Sequence, residues 1–309
     1  MEDITVTRGF VTIATGKEKY YQLAHTLVLS YKQTSKAPMP FALICDRENE
    51  YTAAFDDIVH LQNPTFSYLD KIELLKITPY DETIFIDADC IAFGDLNRYW
   101  DYFDGATDVS CFGGILPMDS KDGWFYQDTI GDYANQVSYI PHFHGGVYFI
   151  RRGDLCDKIY EDCMQIKADY SNYRFAYFKK PADEPIIALS MALHNCKPVK
   201  RHPECCAYFP SIHKTLVTDY FKNKCQITVD GKRENALLVH YATRHTTLPT
   251  YTIAKEMVLF LHKTKRTWNP AETIFYKTLC YLRFVFIGLV KFNYPKRVIH
   301  HIKKRFFSK

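Results

Sequence analysis

The chain has 309 residues, 47% of them hydrophobic and 24% charged, which supplies apolar material for one large core or two small ones and excludes a disordered chain. Only 13 Gly and 14 Pro occur, too few for a fibrous or low-complexity protein. The net charge of +4 is unevenly spread: residues 273–309 carry nine Lys or Arg and no acid, so the first 272 residues hold 30 of the 39 basic side chains and all 35 acidic ones. A mildly acidic body excludes general nucleic-acid binding, and the basic end points to an anionic partner.

The chain opens Met1-Glu2-Asp3, without the basic and apolar stretches of a secretory leader, which predicts a cytoplasmic protein. Its ten cysteines then read as reduced thiols, and Cys45, Cys90 and Cys111 lie in apolar runs where a free thiol is a small hydrophobe. Cys205-Cys206 with His202 and Cys196 fits no usual zinc spacing.

In chain order, Phe10 to Ala14 reads as an apolar strand ending at Thr15-Gly16. From Lys17 to Lys32, Tyr20, Leu23, Ala24, Leu27, Val28 and Tyr31 recur at helical spacing. Pro40 to Cys45 and Asp57 to Leu61 are further strands, Phe66 to Ile77 is helical, and Thr83 to Ile86 is a fourth strand running into Asp87-Ala88-Asp89. This rhythm predicts an α/β, doubly wound and mostly parallel sheet with ligands at the carboxyl ends of its strands. No GxGxxG opens the first helix, which argues against a dinucleotide-dependent oxidoreductase. Further on, Asp108 to Phe112 and Val147 to Ile150 read as strands, and Asp154 to Ala168 and Asp183 to His194 as helices. Residues 195–235 read as irregular, and Leu237 to Tyr241 as a last strand. After about residue 248 the character changes. Phe275 to Phe292 is strongly apolar but interrupted by Lys277, Arg283 and Lys291, which favours an interfacial helix over a membrane span.

The chemistry centres on Asp87 and Asp89. Both follow an apolar strand, where an α/β sheet presents its ligands. Residues two apart on an extended chain point the same way, so both carboxylates would approach one cation. Hard divalent ions held by one or two carboxylates are a means of gripping a diphosphate and neutralising it as it leaves.

With its flanks, Tyr80-Asp81 and then Phe85-Ile86-Asp87-Ala88-Asp89, this segment resembles the metal-binding block of GT-A glycosyltransferases, especially glycosyltransferase family 8, over roughly residues 10–245. The resemblance implies a GT-A fold in residues 1–248, a helical, basic and aromatic extension in 249–309, and Mn2+ or Mg2+ as cofactor. It implies that Ala14, Thr15 and Tyr20 or Tyr21 hold the base and ribose, and that Lys71 helps bind the donor. Phe143-His144-Gly145-Gly146-Val147 is similar to the family's sugar-contacting block, with His144 where Asn is usual. Asp183-Glu184 is similar to an Asp-Gln pair beside the donor sugar. Asp183 would accept hydrogen bonds from sugar hydroxyls, and Glu184 would stabilise an oxocarbenium-like centre, attack it, or serve as a base. Asp87, Asp89 and His240 are the implied metal ligands, Ala88 lies between the acids, and Arg244 takes the place of a Lys that binds phosphate.

The implied activity is hexose transfer, with retention, from a nucleotide-diphospho sugar of the UDP-hexose type to a glycan or a lipid-linked acceptor. Lipopolysaccharide or capsule synthesis would suit it, with the basic tail at the anionic inner face of the membrane. Two alternatives stay open: a non-catalytic sugar-nucleotide or glycan binder of the same fold, and a phosphatase with a DxD nucleophile, from which Ile91 and the late position of the motif depart.

Overall fold

The computed structural model describes residues 6–176, 180–202, 204–208, 216–229 and 231–291. Its strands are β1 (Arg8–Ala14), β2 (Phe41–Cys45), β3 (Asp57–His60), β4 (Glu82–Ile86), β5 (Cys90–Ala92), β6 (Val109–Leu116), β7 (Ile140–Arg151), β8 (Val199–Lys200), β9 (Ala207–Tyr208), β10 (Val217–Asp219), β11 (Lys224–Val229), β12 (Lys232–Asn235) and β13 (Leu238–His240). The helices are α1 (Glu18–Thr34), α2 (Leu74–Ile77), α3 (Tyr99–Tyr102), α4 (Asp154–Ala168), α5 (Asp183–Leu193), α6 (Pro249–Thr264) and α7 (Pro270–Lys291).

Seven strands form the central sheet in the order β3-β2-β1-β4-β7-β6-β8. The first four run parallel, β7 is antiparallel to β4 and β6, and β8 is parallel to β6. The continuous apolar run of β2 (FALIC) and all five residues of β4 (ETIFI) are buried, as in a sheet covered on both faces. Alternate side chains serve two cores. Phe10, Phe41, Leu43, Ile84 and Ile86 join the cluster under α1 and α6, while Val11, Ala42, Ile44 and Phe85 join the one under α4 and α5. The mostly parallel α/β sheet expected from the sequence is therefore present.

Several local readings change. The strand expected over Val147–Ile150 runs from Ile140, so the Phe143–Val147 block lies inside a strand, and that expected over Asp108–Phe112 continues to Leu116. The helix expected from Phe66 begins at Tyr68 as a 3-10 turn, Tyr68–Glu73, and becomes α-helical only at Leu74. Residues 195–235 are not wholly irregular: β8 joins the central sheet, β9 pairs with β13, and β10-β11-β12 form a small sheet. In β11 the alternation of buried Cys225 and Ile227 with more open neighbours carries the strand signal, but over too few residues to stand out. All ten cysteines are free.

Beyond β13, α6 buries Tyr251, Ala254, Met257 and Val258 in the cluster that α1 covers, and α7 packs on α6. Among the described residues no helix is long and apolar enough to cross a membrane.

Candidate active site

The site is built where β4 ends. The Asp87 N–H donates to the Gly146 carbonyl of β7 at 2.9 Å, and the Asp87 carbonyl accepts the Cys90 N–H at 3.1 Å. Asp87 to Cys90 is therefore a tight turn, not the extended segment expected. It leads into β5, which pairs antiparallel with β13 so that Cys90 lies opposite His240. The carboxylates still converge, because the ladder brings His240 to them: its Nε2 lies 3.0 Å from Asp89 Oδ1 and 3.4 Å from Asp87 Oδ2. Burial disfavours a charged imidazole, but the carboxylates of Asp89 and Asp87 outweigh it and hold the ring above the usual histidine range.

Lys71 reaches the same place from the 3-10 turn before α2. Its Nζ is 2.8 Å from Asp87 Oδ2, 3.3 Å from the Gly145 carbonyl and 3.7 Å from Asp183 Oδ2. Burial opposes its charge, yet Asp183 and Asp87 raise its pKa well above the ordinary lysine value.

Asp183 and Glu184 occupy the first turn of α5, where the helix dipole favours acids. Tyr148 of β7 donates its hydroxyl to Asp183 at 3.1 Å, and the Gly145 N–H donates to Glu184 Oε1 at 2.6 Å. Burial first, and then the neighbouring Asp183 charge, push Glu184 up to about 7. The two glycines allow this packing: a Cβ on Gly145 would lie 2.9 Å from Glu184 Cγ, and one on Gly146 2.6 Å from His240 Nδ1. Their absent side chains make room for the protein's own Glu184, Tyr148 hydroxyl and His240 imidazole.

His144 stacks on Tyr208 with ring centroids 4.1 Å apart, and both line a small pocket with Arg201, Cys206 and His240. Ala14 is buried at the end of β1. Thr15 donates to Asp70 at 3.2 Å. Tyr20 is exposed, whereas Tyr21 is fully buried with its hydroxyl on Asp46 at 2.6 Å, so Tyr20 is the member of the pair open to a ligand. Ala88 is buried in the turn between the two acids. Arg244 lies in the 3-10 turn Thr243–Thr247, and its side chain falls outside the described residues.

Sequence reasoning missed several neighbours. Arg201 and Tyr208 come from the segment read as irregular. Buried Asp70 accepts hydrogen bonds from Thr65, Phe66 and Thr15, tying the loop before Tyr68 to the end of β1. Phe66, at φ 55° with its ring against Gly16, has none of the usual Gly or Asn signal for a left-handed residue.

Among the described residues, Asp89, Cys90 and His240 group as metal-capable side chains, their donor atoms lying within 4.8 Å of one another. Cys90 was not among the expected ligands, and its buried thiol is held well above the ordinary thiol range. The carboxylates of Asp87 and Asp89 with one imidazole fit a divalent ion of the Mg2+ or Mn2+ kind. The buried Nδ1 of His240 has no hydrogen-bond partner among the described residues.

No protein-family profile matches the sequence, and no curated protein matches it. Solved structures do. The galactosyltransferase LgtC, in complex with donor and acceptor sugar analogues, matches with a TM-score of 0.51 at 12% identity, over 85% of this chain and 98% of its own. An active-site variant of LgtC with glutamate in place of a glutamine matches with a TM-score of 0.50 at 14% identity, over 76% of this chain and 87% of its own. At such identity the likeness is one of architecture: the chain has the GT-A type of α/β fold that the residues around Asp87 led us to expect.

Proposed function

We propose that the protein is a divalent-metal-dependent glycosyltransferase that moves a hexose from a UDP-sugar to a glycan or lipid-linked acceptor. The observation that carries this reading is the convergence of Asp87, Asp89, His240 and Lys71 with Asp183 and Glu184 at the carboxyl end of β4. A bound Mn2+ or Mg2+, held by Asp87, Asp89 and His240, would supply charge neutralisation for the departing diphosphate. Lys71 adds a second positive charge beside the same carboxylates and orients the donor's phosphate or sugar hydroxyls. Asp183, fixed by Tyr148, accepts hydrogen bonds from the hexose. Glu184, held by the Gly145 N–H, faces the anomeric centre. There its carboxylate stabilises positive charge or attacks it, consistent with retention, whereas its use as a base on the acceptor hydroxyl gives inversion. Thr15 and exposed Tyr20 take the nucleoside, His144 with Tyr208 borders the sugar, and Arg244 meets phosphate.

An LgtC variant with glutamate for an active-site glutamine retains the fold that this chain shares, and Glu184 brings a carboxylate natively to the site proposed here. Residues 1–248 carry the reaction in this reading. The extension 249–309 brings the enzyme to the anionic inner face of the membrane, where a lipid-linked acceptor resides. Turnover of a panel of UDP-hexoses with Mn2+, followed by NMR of the product anomer, tests the reading. Metal-dependent transfer supports it, and binding without transfer or hydrolysis across the panel reduces the protein to a sugar-nucleotide binder.

A further inference from the structure

The inner side of α7 is anchored: Tyr276 stacks on Trp268 at 4.5 Å, and Tyr276 and Cys280 pack against the core under α1 and α6. The outer side is apolar and open. Ile274 is 68% exposed, Phe275 61%, Leu282 63% and Phe286 67%, with Leu279 and Val285 half exposed between them. At 3.6 residues per turn these six side chains fall on one broad arc of the helix. Lys277 and Arg283 fall at its two borders. The acid in the first turn, Glu272, is paired with Arg266 at 2.8 Å, and no acid follows it in the sequence. A contiguous apolar arc of this extent marks a contact surface, unlike a scattering of single exposed side chains.

The geometry points to a lipid bilayer as the occupant: we propose that α7 lies in the plane of the membrane interface, with its apolar arc in the acyl boundary and Lys277 and Arg283 at the level of the lipid phosphates. A second copy of this chain fits less well, since a two-fold pairing of this face would set the same basic borders against each other with no acid to meet them. The proposal deepens the membrane part of the function proposed above and rests on that part alone, because donor binding does not enter it. It also changes what salt should do. The basic end alone would release the protein on screening, whereas an inserted apolar arc keeps it bound.

The test uses the full chain with vesicles of phosphatidylcholine alone and with one third phosphatidylglycerol, co-sedimented at about 0.1 and about 0.5 M salt. Leu282→Glu with Phe286→Glu removes the arc's centre, and Lys277→Gln with Arg283→Gln removes its borders. Leu282, Arg283 and Phe286 are exposed and Lys277 is half-buried, and circular dichroism with UDP–Mn2+ binding verifies that each variant is folded. The wild type should keep most of its binding to the mixed vesicles at the higher salt. The Glu pair should weaken binding to both vesicle types by at least about tenfold, the scale set by losing two buried apolar side chains. The Gln pair should remove only the preference for anionic lipid. In a Leu282→Trp variant, brominated acyl chains should quench the indole. Full release of the wild type by salt, or unchanged binding of the Glu pair, overturns the proposal. So does a dimer in solution that the Glu pair converts to monomers, which would make a second copy the occupant. Loss of UDP–Mn2+ binding in the wild type would count against the glycosyltransferase reading and leave this one standing.

Discussion

Gly146 and His240 are in such close contact that a β-carbon at position 146 would lie 2.6 Å from His240 Nδ1. The imidazole stays against Asp89 because β7 offers it a bare backbone. Gly146→Ala should therefore displace His240 and weaken Mn2+ binding by about 10- to 100-fold, the range for disturbing a ligand's support. Gly145→Ala should instead displace the Tyr148 hydroxyl, which holds Asp183, and Glu184, lowering turnover with Mn2+ affinity near normal. Calorimetric Mn2+ titration of both variants checks the division, and an equal effect of the two on metal binding would contradict it.

Lys71 is a buried ammonium shared by Asp87 and Asp183. Lys71→Met leaves both acids uncompensated and should cost about 3–5 kcal/mol of stability in metal-free buffer. If Asp87 belongs to a metal site, Mn2+ should restore part of that loss, more than it stabilises the wild type. Denaturant unfolding with and without Mn2+ measures both terms. An Mn2+ increment no larger than in the wild type would separate Lys71 from the metal.

Glu184 links stability to pH. Its folded pKa of about 7 lies above the ordinary 4.5, so folding favours the protonated carboxyl. That stabilisation is fully present below pH 4.5 and is lost as pH rises through about 7. Glutamine at 184 does not ionise and still accepts the Gly145 N–H. Glu184→Gln should thus gain on the wild type between pH 5 and pH 8 by about 1–3 kcal/mol, allowing for the partly open side chain. The same substitution should lower kcat with little change in donor affinity, and remove a rise in kcat through neutral pH. Unfolding free energies of the two proteins across this range test the first part, and a pH-independent difference would refute it.

The parallel half of the sheet was legible because β1, β2 and β4 are mostly apolar runs and a helix at 3.6 spacing joins the first two. Asp87, Asp89 and His240 were legible because each follows or ends such a run. What the sequence hid is made by partners far along the chain. The turn from Asp87 to Cys90 depends on a hydrogen bond within it and on one that the Asp87 N–H donates to the Gly146 carbonyl. The two-residue strands β8 and β9 exist only because β6 and β13 offer them edges. Asp70 reads as a solvated helix acid until its loop donors are seen around it, and nothing in Phe66 itself marks a left-handed backbone. The packing role of Gly145 and Gly146 was hidden because the residues that need the space, Glu184 and His240, lie some 40 and 94 positions away.

The acids themselves give a sharper expectation. Asp87→Ala and Asp89→Ala should each lower turnover by roughly a hundredfold or more, since several kcal/mol of charge neutralisation depends on them. Neither carboxylate belongs to an apolar cluster, but both are largely buried, at 20% and 16% exposure, and Asp87 pairs with buried Lys71, so some stability is lost with each and the melts must show that the variant still folds. Steady-state rates at limiting Mn2+, beside thermal melts, separate chemistry from folding; near-normal rates in either variant would remove that acid from the clamp.

The central claim is that one site holds both metal and diphosphate, so that each must strengthen the binding of the other. Isothermal titration of UDP into the full chain, with and without Mn2+, measures this directly. UDP affinity should rise at least about tenfold with Mn2+, the coupling of a shared ligand, and Asp89→Ala should abolish the rise. UDP binding that is equally tight without the metal, or a Mn2+ enhancement that survives in Asp89→Ala, would contradict it.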